Sequence, residues 1–166
     1  MPITRCAKVA MTLSLAAFAW LVAYNNLSDY GANFAFVEHV LRMDTTFEGS
    51  AVRGRALQAP WQWHTAYALI IATELLVAGL LTLGGLQMWR QRNATAAVFH
   101  RAKHWAMAGF LLAFMLWFTG FAVVGREWFA MWQSQVWNGQ ESAFHFSMTM
   151  LGVCIFVNQS DAAPEA

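Results

Sequence analysis

The chain has 166 residues, 58% of them hydrophobic and only 11% charged, with a formal net charge of +1. Soluble domains carry about 25% charged residues, so an ordinary soluble domain is excluded. The near-neutral balance also supplies no basic surface for nucleic acid and no acidic tail for a cationic partner.

Four apolar runs predict an all-α protein, a four-helix transmembrane bundle forming one integral membrane domain over 1–166. A hydrocarbon core of about 30 Å needs about 20 helical residues to cross it, and a helix satisfies its own backbone there. The first span is expected over 7–26. Arg5 and Lys8 at its start, with Ala17-Phe18-Ala19 inside it, have the pattern of a signal peptide. The apolar run continues through Trp20, Leu21 and Val22, which favours a retained helix.

The first outer loop is expected over 27–63. Within "GANFAFVEHVLRM", Phe36, Val37, Val40 and Leu41 share one helical stripe and Glu38, His39 and Arg42 another. This predicts a short amphipathic helix against the ends of the spans, with Ser28 or Asp29 as its N-cap. Asp44, Thr45, Thr46 and Glu48 read either as an oxygen-rich cation site or as a side-chain-capped turn. Pro60 is expected to break any helix before Trp61.

The second span, 64–88, is flanked by Trp61, Trp63 and Trp89, which read as interfacial anchors. Glu74 lies far inside it, with Tyr67, Leu81 and Gly85 on its face and Ala78 nearby. An intramembrane carboxyl group is costly and by default marks function. It fits a proton relay, an ion site or a ligand contact, or else a hydrogen bond that fixes helix packing. The inner loop, 89–103, carries Arg90, Arg92, Arg101 and Lys103, with His100 and His104 at its end. In the third span, 104–124, Gly109 and Ala113 have the small-residue spacing of close helix packing within the chain.

The second outer loop, 125–140, reads "GREWFAMWQSQVWNGQ". Trp128, Trp132 and Val136 repeat at four-residue spacing before an Asn138-Gly139 turn. A second apolar-faced element follows from this, packed on the first to form an extracytoplasmic cap. If its polar groups are functional, Glu127, Gln133, Gln135 and Asn138 converge with His39 or Asp44. The fourth span is expected over 141–158. His64 and His145, at the outer ends of the second and fourth spans, are the pair that could bracket a haem. An amphipathic ring at the interface is a sufficient alternative account of both.

Arg5, Lys8, Arg90, Arg92, Arg101 and Lys103 fall on one side, against Arg42, Arg53, Arg55 and Arg126 on the other. This asymmetry favours the N- and C-termini and the inner loop on the cytoplasmic side. Cys6 and Cys154 then lie near cytoplasmic ends, where a disulfide is disfavoured, and their spacing offers no metal motif.

No phosphate-binding glycine loop, paired-cysteine motif, H-E-x-x-H or G-x-S-x-G elbow occurs, so no catalytic or metal-binding residue is assigned. The expectation is a non-enzymatic accessory or interaction subunit in contact with the lipid bilayer and with another membrane protein or a second copy of itself. The alternatives are an ion, proton or small-molecule pathway through Glu74, and a redox subunit holding haem or quinone.

"NNLSDYGANFAFVEHVLRMDTTF" and "GREWFAMWQSQVWNGQ" together resemble the bacterial small integral membrane proteins grouped as domain of unknown function 2165. The resemblance covers nearly the whole chain and implies four spans in the same order. It draws attention to Asn25, Asn26, Asp29, Tyr30, His39, Asp44, Glu127, Trp128, Trp132, Trp137 and Asn138. It carries no activity, and His145 lies outside its pattern.

Overall fold

The computed structural model describes residues 3–161; residues 1–2 and 162–166, the two ends of the expected domain, lie outside the described residues. The α-helices are α1 (Ile3–Ser28), α2 (Tyr30–Arg42), α3 (Pro60–Arg90), α4 (Ala96–Ala102), α5 (His104–Phe114) and α6 (Gln140–Asn158). Helix α5 runs into a π-helical stretch, Met115–Trp128, and single 3-10 turns occur at Arg53–Arg55 and Met131–Gln133. No strand occurs among the described residues. Three helical segments are long and apolar enough to cross a membrane: Ile3–Ser28, Pro60–Arg90 and Ala96–Trp128. Helix α6 has the length, at 19 residues, but not the same apolar density.

The sequence of α1 explains its docking. Its buried positions Val9, Thr12, Ala16, Ala19, Ala23 and Asn26 alternate steps of three and four. So do Tyr67, Ile71, Glu74, Ala78, Leu81, Gly85 and Met88 on α3. Two such seams let long helices stay in contact over many turns. The pair is antiparallel, since Leu13 packs on Gly85 while Asn26 meets Glu74. Helix α3 packs equally closely on α5. A Cβ added at Gly109 would stand 2.8 Å from Leu81 Cδ2, and one at Gly84 would overlap the Ala106 backbone. The expected small-residue contact of Gly109 and Ala113 therefore serves packing within the chain. Helix α6 closes the arrangement against α5, the π-helical stretch and α1.

Several local expectations change. Asp29 occupies the N-cap position of α2 without a capping bond from its side chain, while the Ser28 hydroxyl donates back to the Tyr24 carbonyl at 2.8 Å. Pro60 opens α3, where its missing N–H costs nothing and its fixed φ suits the first turn. Trp63 is a core residue, not an interfacial anchor; it is buried among the residues of α2 and the 129–131 turn, and its indole N–H donates to Leu57 O at 2.9 Å. Trp61, Trp89 and Trp105 remain exposed.

Residues 125–140, where a second short amphipathic, apolar-faced element is expected, form no such helix. Ala130, in the left-handed region at φ 51°, turns the chain sharply after Phe129. Phe129, Ala130 and Met131 are then the buried residues, with Val37, Val40 and Leu41 of α2, while Trp128, Trp132 and Val136 point outward. Thr45 and Ser134 share a hydroxyl hydrogen bond at 2.8 Å, and the Phe47 amide donates to Gln133 Oε1 at 3.1 Å. The Arg55 guanidinium lies 4.5 Å from the Trp128 ring centre and donates to the Trp128 carbonyl.

At the opposite end, three of the basic residues counted for orientation are interior groups. Arg5, Lys8 and Lys103 are each 1% exposed. Arg5 donates to the carbonyls of Arg92 and Ala94 at 3.0 and 2.6 Å, across the α3–α4 connection. Lys8 and Lys103 both donate to the Gln159 carbonyl and both pair with the Asp161 carboxylate, Lys8 at 2.8 Å. Burial alone would push the Asp161 carboxyl up, but the hydrogen bonds and charges of the two lysines hold it below the ordinary carboxylate range. Cys6 and Cys154 are free thiols.

Candidate functional site

Glu74 sits midway along α3, on the seam shared with α1, with its side chain in the interior. Its Oε2 accepts from Asn26 Nδ2 at 2.7 Å, and Asn26 Oδ1 accepts from Asn33 Nδ2 at 2.7 Å. Tyr67, one α3 face above Glu74, donates its hydroxyl to the Asn26 carbonyl at 3.3 Å. A chain of amides thus runs from exposed Asn33 on α2, through Asn26 on α1, to the buried carboxyl on α3. Each amide is oriented by its neighbour, as buried polar groups require. Among the described residues, Glu74 Oε1 has no hydrogen-bond partner, and it is not sealed off from the adjoining space.

That space is a cavity of about 430 Å³ at the α2 end of the bundle. Glu74, Asn26 and Tyr67 form its floor, and Phe36, Trp117, Phe121, Trp137 and Phe146 form its walls. Asn33, Asn138 and Ser142 stand at its mouth, where they are exposed. Trp117 and Phe146 are held at 5.6 Å between ring centres, and Phe36 meets Trp137 at 6.4 Å. Gly139, at the N-cap position of α6, lets the Phe36 ring close against it; a Cβ there would come 2.9 Å from Phe36 Cζ. Beneath the floor the interior is apolar and fully buried at Val77, Ala78, Leu81 and Ala113. The chamber therefore has its exposed polar rim at the α2 end and an apolar layer beneath Glu74.

The other residues singled out from the sequence are distributed around this chamber. Asn138 and Trp137 belong to it. His39 does not; it stacks on the far side of Trp137 at 4.7 Å and bonds Asp44 at 2.9 Å. Thr46 caps the same turn by donating to the Met43 carbonyl, so the Asp44–Glu48 segment is a tied turn. Gln133 is turned to the Phe47 amide, and Glu127 pairs outward with Arg126. Gln135, Asn25 and Asp29 are exposed. His64 stacks on Phe34 at 4.2 Å and is hydrogen-bonded to Tyr30, while His145 sits on an exposed face of α6 beside Phe144. No cluster of three or more metal-ligating side chains occurs among the described residues. The expected convergence of Glu127, Gln133, Gln135 and Asn138 on His39 or Asp44 is not formed; the polar groups that meet are Asn33, Asn26 and Glu74, with Asn138 at the mouth of the same cavity.

A family model described as predicted small integral membrane protein, DUF2165, matches residues 4–160. The chain belongs to the DUF2165 family. That match takes in α1 to α6, so every wall of the chamber in this DUF2165 protein is built from family sequence. No curated protein and no solved structure matches the chain. Asn33, Trp117, Phe121 and Phe146 were not picked out from the DUF2165 sequence. Trp117 carried a usable signal, because indoles prefer the headgroup level and this one lies well inside an apolar run.

Proposed function

We propose that this DUF2165 protein binds an organic ammonium ion in the Glu74 chamber. One observation carries the reading: six aromatic rings and one carboxyl group line the cavity, and no Lys, Arg or His does. Ring faces and a carboxylate both attract positive charge, and an ammonium also supplies the N–H donor that Glu74 Oε1 lacks. An anionic head would find no counter-charge in the chamber. The apolar layer beneath Glu74 makes this a receiving site in the present conformation and not an open pathway.

The same reading has the protein cross the bacterial inner membrane four times, with both ends cytoplasmic and the chamber mouth outside. The seating of α6 between α5 and α1 supports the fourth crossing. Exposed Arg90 and Arg101 at the other end support the orientation.

The test is binding of n-butylammonium to the protein in lipid nanodiscs, followed by calorimetry. Wild type should bind, and Glu74→Gln, which keeps the size and the Asn26 hydrogen bond, should weaken binding at least ten-fold. Equal affinity in the two proteins, or no binding to wild type, would end the reading. A second reading, an accessory subunit of a membrane complex, draws on the outward face formed by Trp128, Trp132 and Phe47, the last two meeting edge to face at 5.8 Å. It requires a stoichiometric membrane protein to co-purify in mild detergent and to be lost from the Trp128→Ala/Trp132→Ala variant.

A further inference from the structure

A second cavity, of about 250 Å³, adjoins the first and shares Phe36, Val37, Ile70 and Phe121 with it. Every residue around it is apolar or glycine. The shared wall includes the Phe36–Phe121 ring pair, stacked at 6.3 Å and 22°, beside Val37 and Ile70. A wall one side chain thick therefore separates a chamber with a polar floor from one with none.

The outer wall of the second cavity comes from the π-helical stretch. Leu116, Gly120, Val124 and Gly125 all lie on that stretch and all line the space. A π-turn is wider than an α-turn and is commonly found at functional sites. The two glycines leave room where side chains would otherwise stand. Leu69 and Val124, at the rim, are 64% and 42% exposed on surfaces apolar enough to face lipid. The second cavity thus opens sideways, whereas the first opens at the α2 end.

We infer that the two cavities are the two halves of one site for a single-chain amphiphile, its ammonium head on Glu74 and its alkyl chain in the apolar cavity. The inference rests on the organic-cation reading above and adds the tail. The head cavity excludes fatty acids and phosphate-bearing lipids, because neither cavity contains a basic side chain. The lateral opening fits a ligand that arrives dissolved in the bilayer, its chain passing between α3 and the π-helical stretch.

The experiment uses dodecylammonium carrying a diazirine at the chain end, photolysed in nanodiscs and mapped by peptide mass spectrometry. Labelling should fall on Leu69, Leu116 or Val124, and excess dodecylammonium should suppress it, whereas dodecanoate and phosphatidylethanolamine should not. Gly120→Leu should fill the tail cavity. A Cβ at that position makes only ordinary contact, 3.9 Å from Leu116 Cδ1, so the helices need not move. That variant should lose at least ten-fold in specific labelling while binding n-butylammonium as wild type does. Labelling spread evenly over lipid-facing surfaces, labelling unchanged in Gly120→Leu, or suppression by phosphatidylethanolamine overturns the two-part site. In each of those cases n-butylammonium binding sensitive to Glu74→Gln leaves the head-group reading standing; loss of n-butylammonium binding in wild type removes both.

Discussion

Asp161→Asn should destabilise the protein by about 3 kcal/mol, the scale of removing one partner from a buried ion pair. Lys8, Lys103 and Asp161 have side chains only 1–2% exposed, and the one carboxylate serves both ammonium groups. Asparagine has nearly the same shape but leaves two like charges buried side by side. The measurement is thermal or denaturant unfolding in detergent micelles. An effect below about 0.5 kcal/mol, the range of ordinary surface substitutions, would show that the cluster is solvated. A triple variant, Lys8→Met, Lys103→Met and Asp161→Leu, should recover most of the loss, because apolar replacement of a whole buried ion cluster is often neutral or better. The same carboxylate gives an acid dependence. Its folded pKa lies below the ordinary aspartate value of about 3.9. Its contribution is therefore complete above that value and disappears as pH falls through the lower, folded one. Wild type should lose stability below about pH 4 more steeply than the triple variant does.

Gly84→Ala should cost about 2 kcal/mol, the middle of the range for overpacking a filled interior. The new methyl would overlap the backbone nitrogen and Cα of Ala106, which no side-chain rotation can relieve. Helices α3 and α5 would have to separate along their length. Gly79→Ala is the matched control on the same helix. Nothing lies within 4 Å of its added Cβ, and alanine is the better helix former by about 0.8–1.0 kcal/mol, so that variant should be more stable than wild type. The opposite signs are what unfolding curves would check. Equal shifts for the two variants would mean that propensity governs and the close approach does not.

The apolar runs and the lone intramembrane carboxyl were readable because each has a large free-energy cost attached. Burial of polar groups in hydrocarbon constrains composition strongly, so α1, α3 and the segment from Ala96 to Trp128 could be seen in the order of residues. The inward placement of Glu74 followed from its neighbours at helical spacing, and Tyr67 and Ala78 are buried as that spacing required. The second outer loop was misread for a physical reason. Four-residue spacing of Trp128, Trp132 and Val136 fits a helix, but one left-handed residue, Ala130, redirects the chain. No side-chain pattern announces a positive φ at alanine. The roles of Arg5, Lys8 and Lys103 were hidden for a related reason. A basic residue flanking a span has the same sequence appearance whether it faces water or meets a partner distant in the chain, as Lys8 and Lys103 meet Asp161 and Arg5 meets the carbonyls of Arg92 and Ala94. Asn33 and Phe146 lay beyond single-segment reasoning, because the chamber exists only where α1, α2, α3, the π-helical stretch and α6 meet.

The Lys8–Asp161 pair also sets a timetable for biosynthesis. The two partners are 153 positions apart, and ribosomes add about 5–20 residues per second. An emerging α1 therefore waits on the order of ten to thirty seconds before its carboxylate has been made. Over that interval Lys8 has no acid to neutralise it, so the nascent helix must hold that turn at the aqueous boundary while the later helices are threaded in. The assembled bundle can draw the lysine inward to this carboxylate only after Asp161 has left the ribosome.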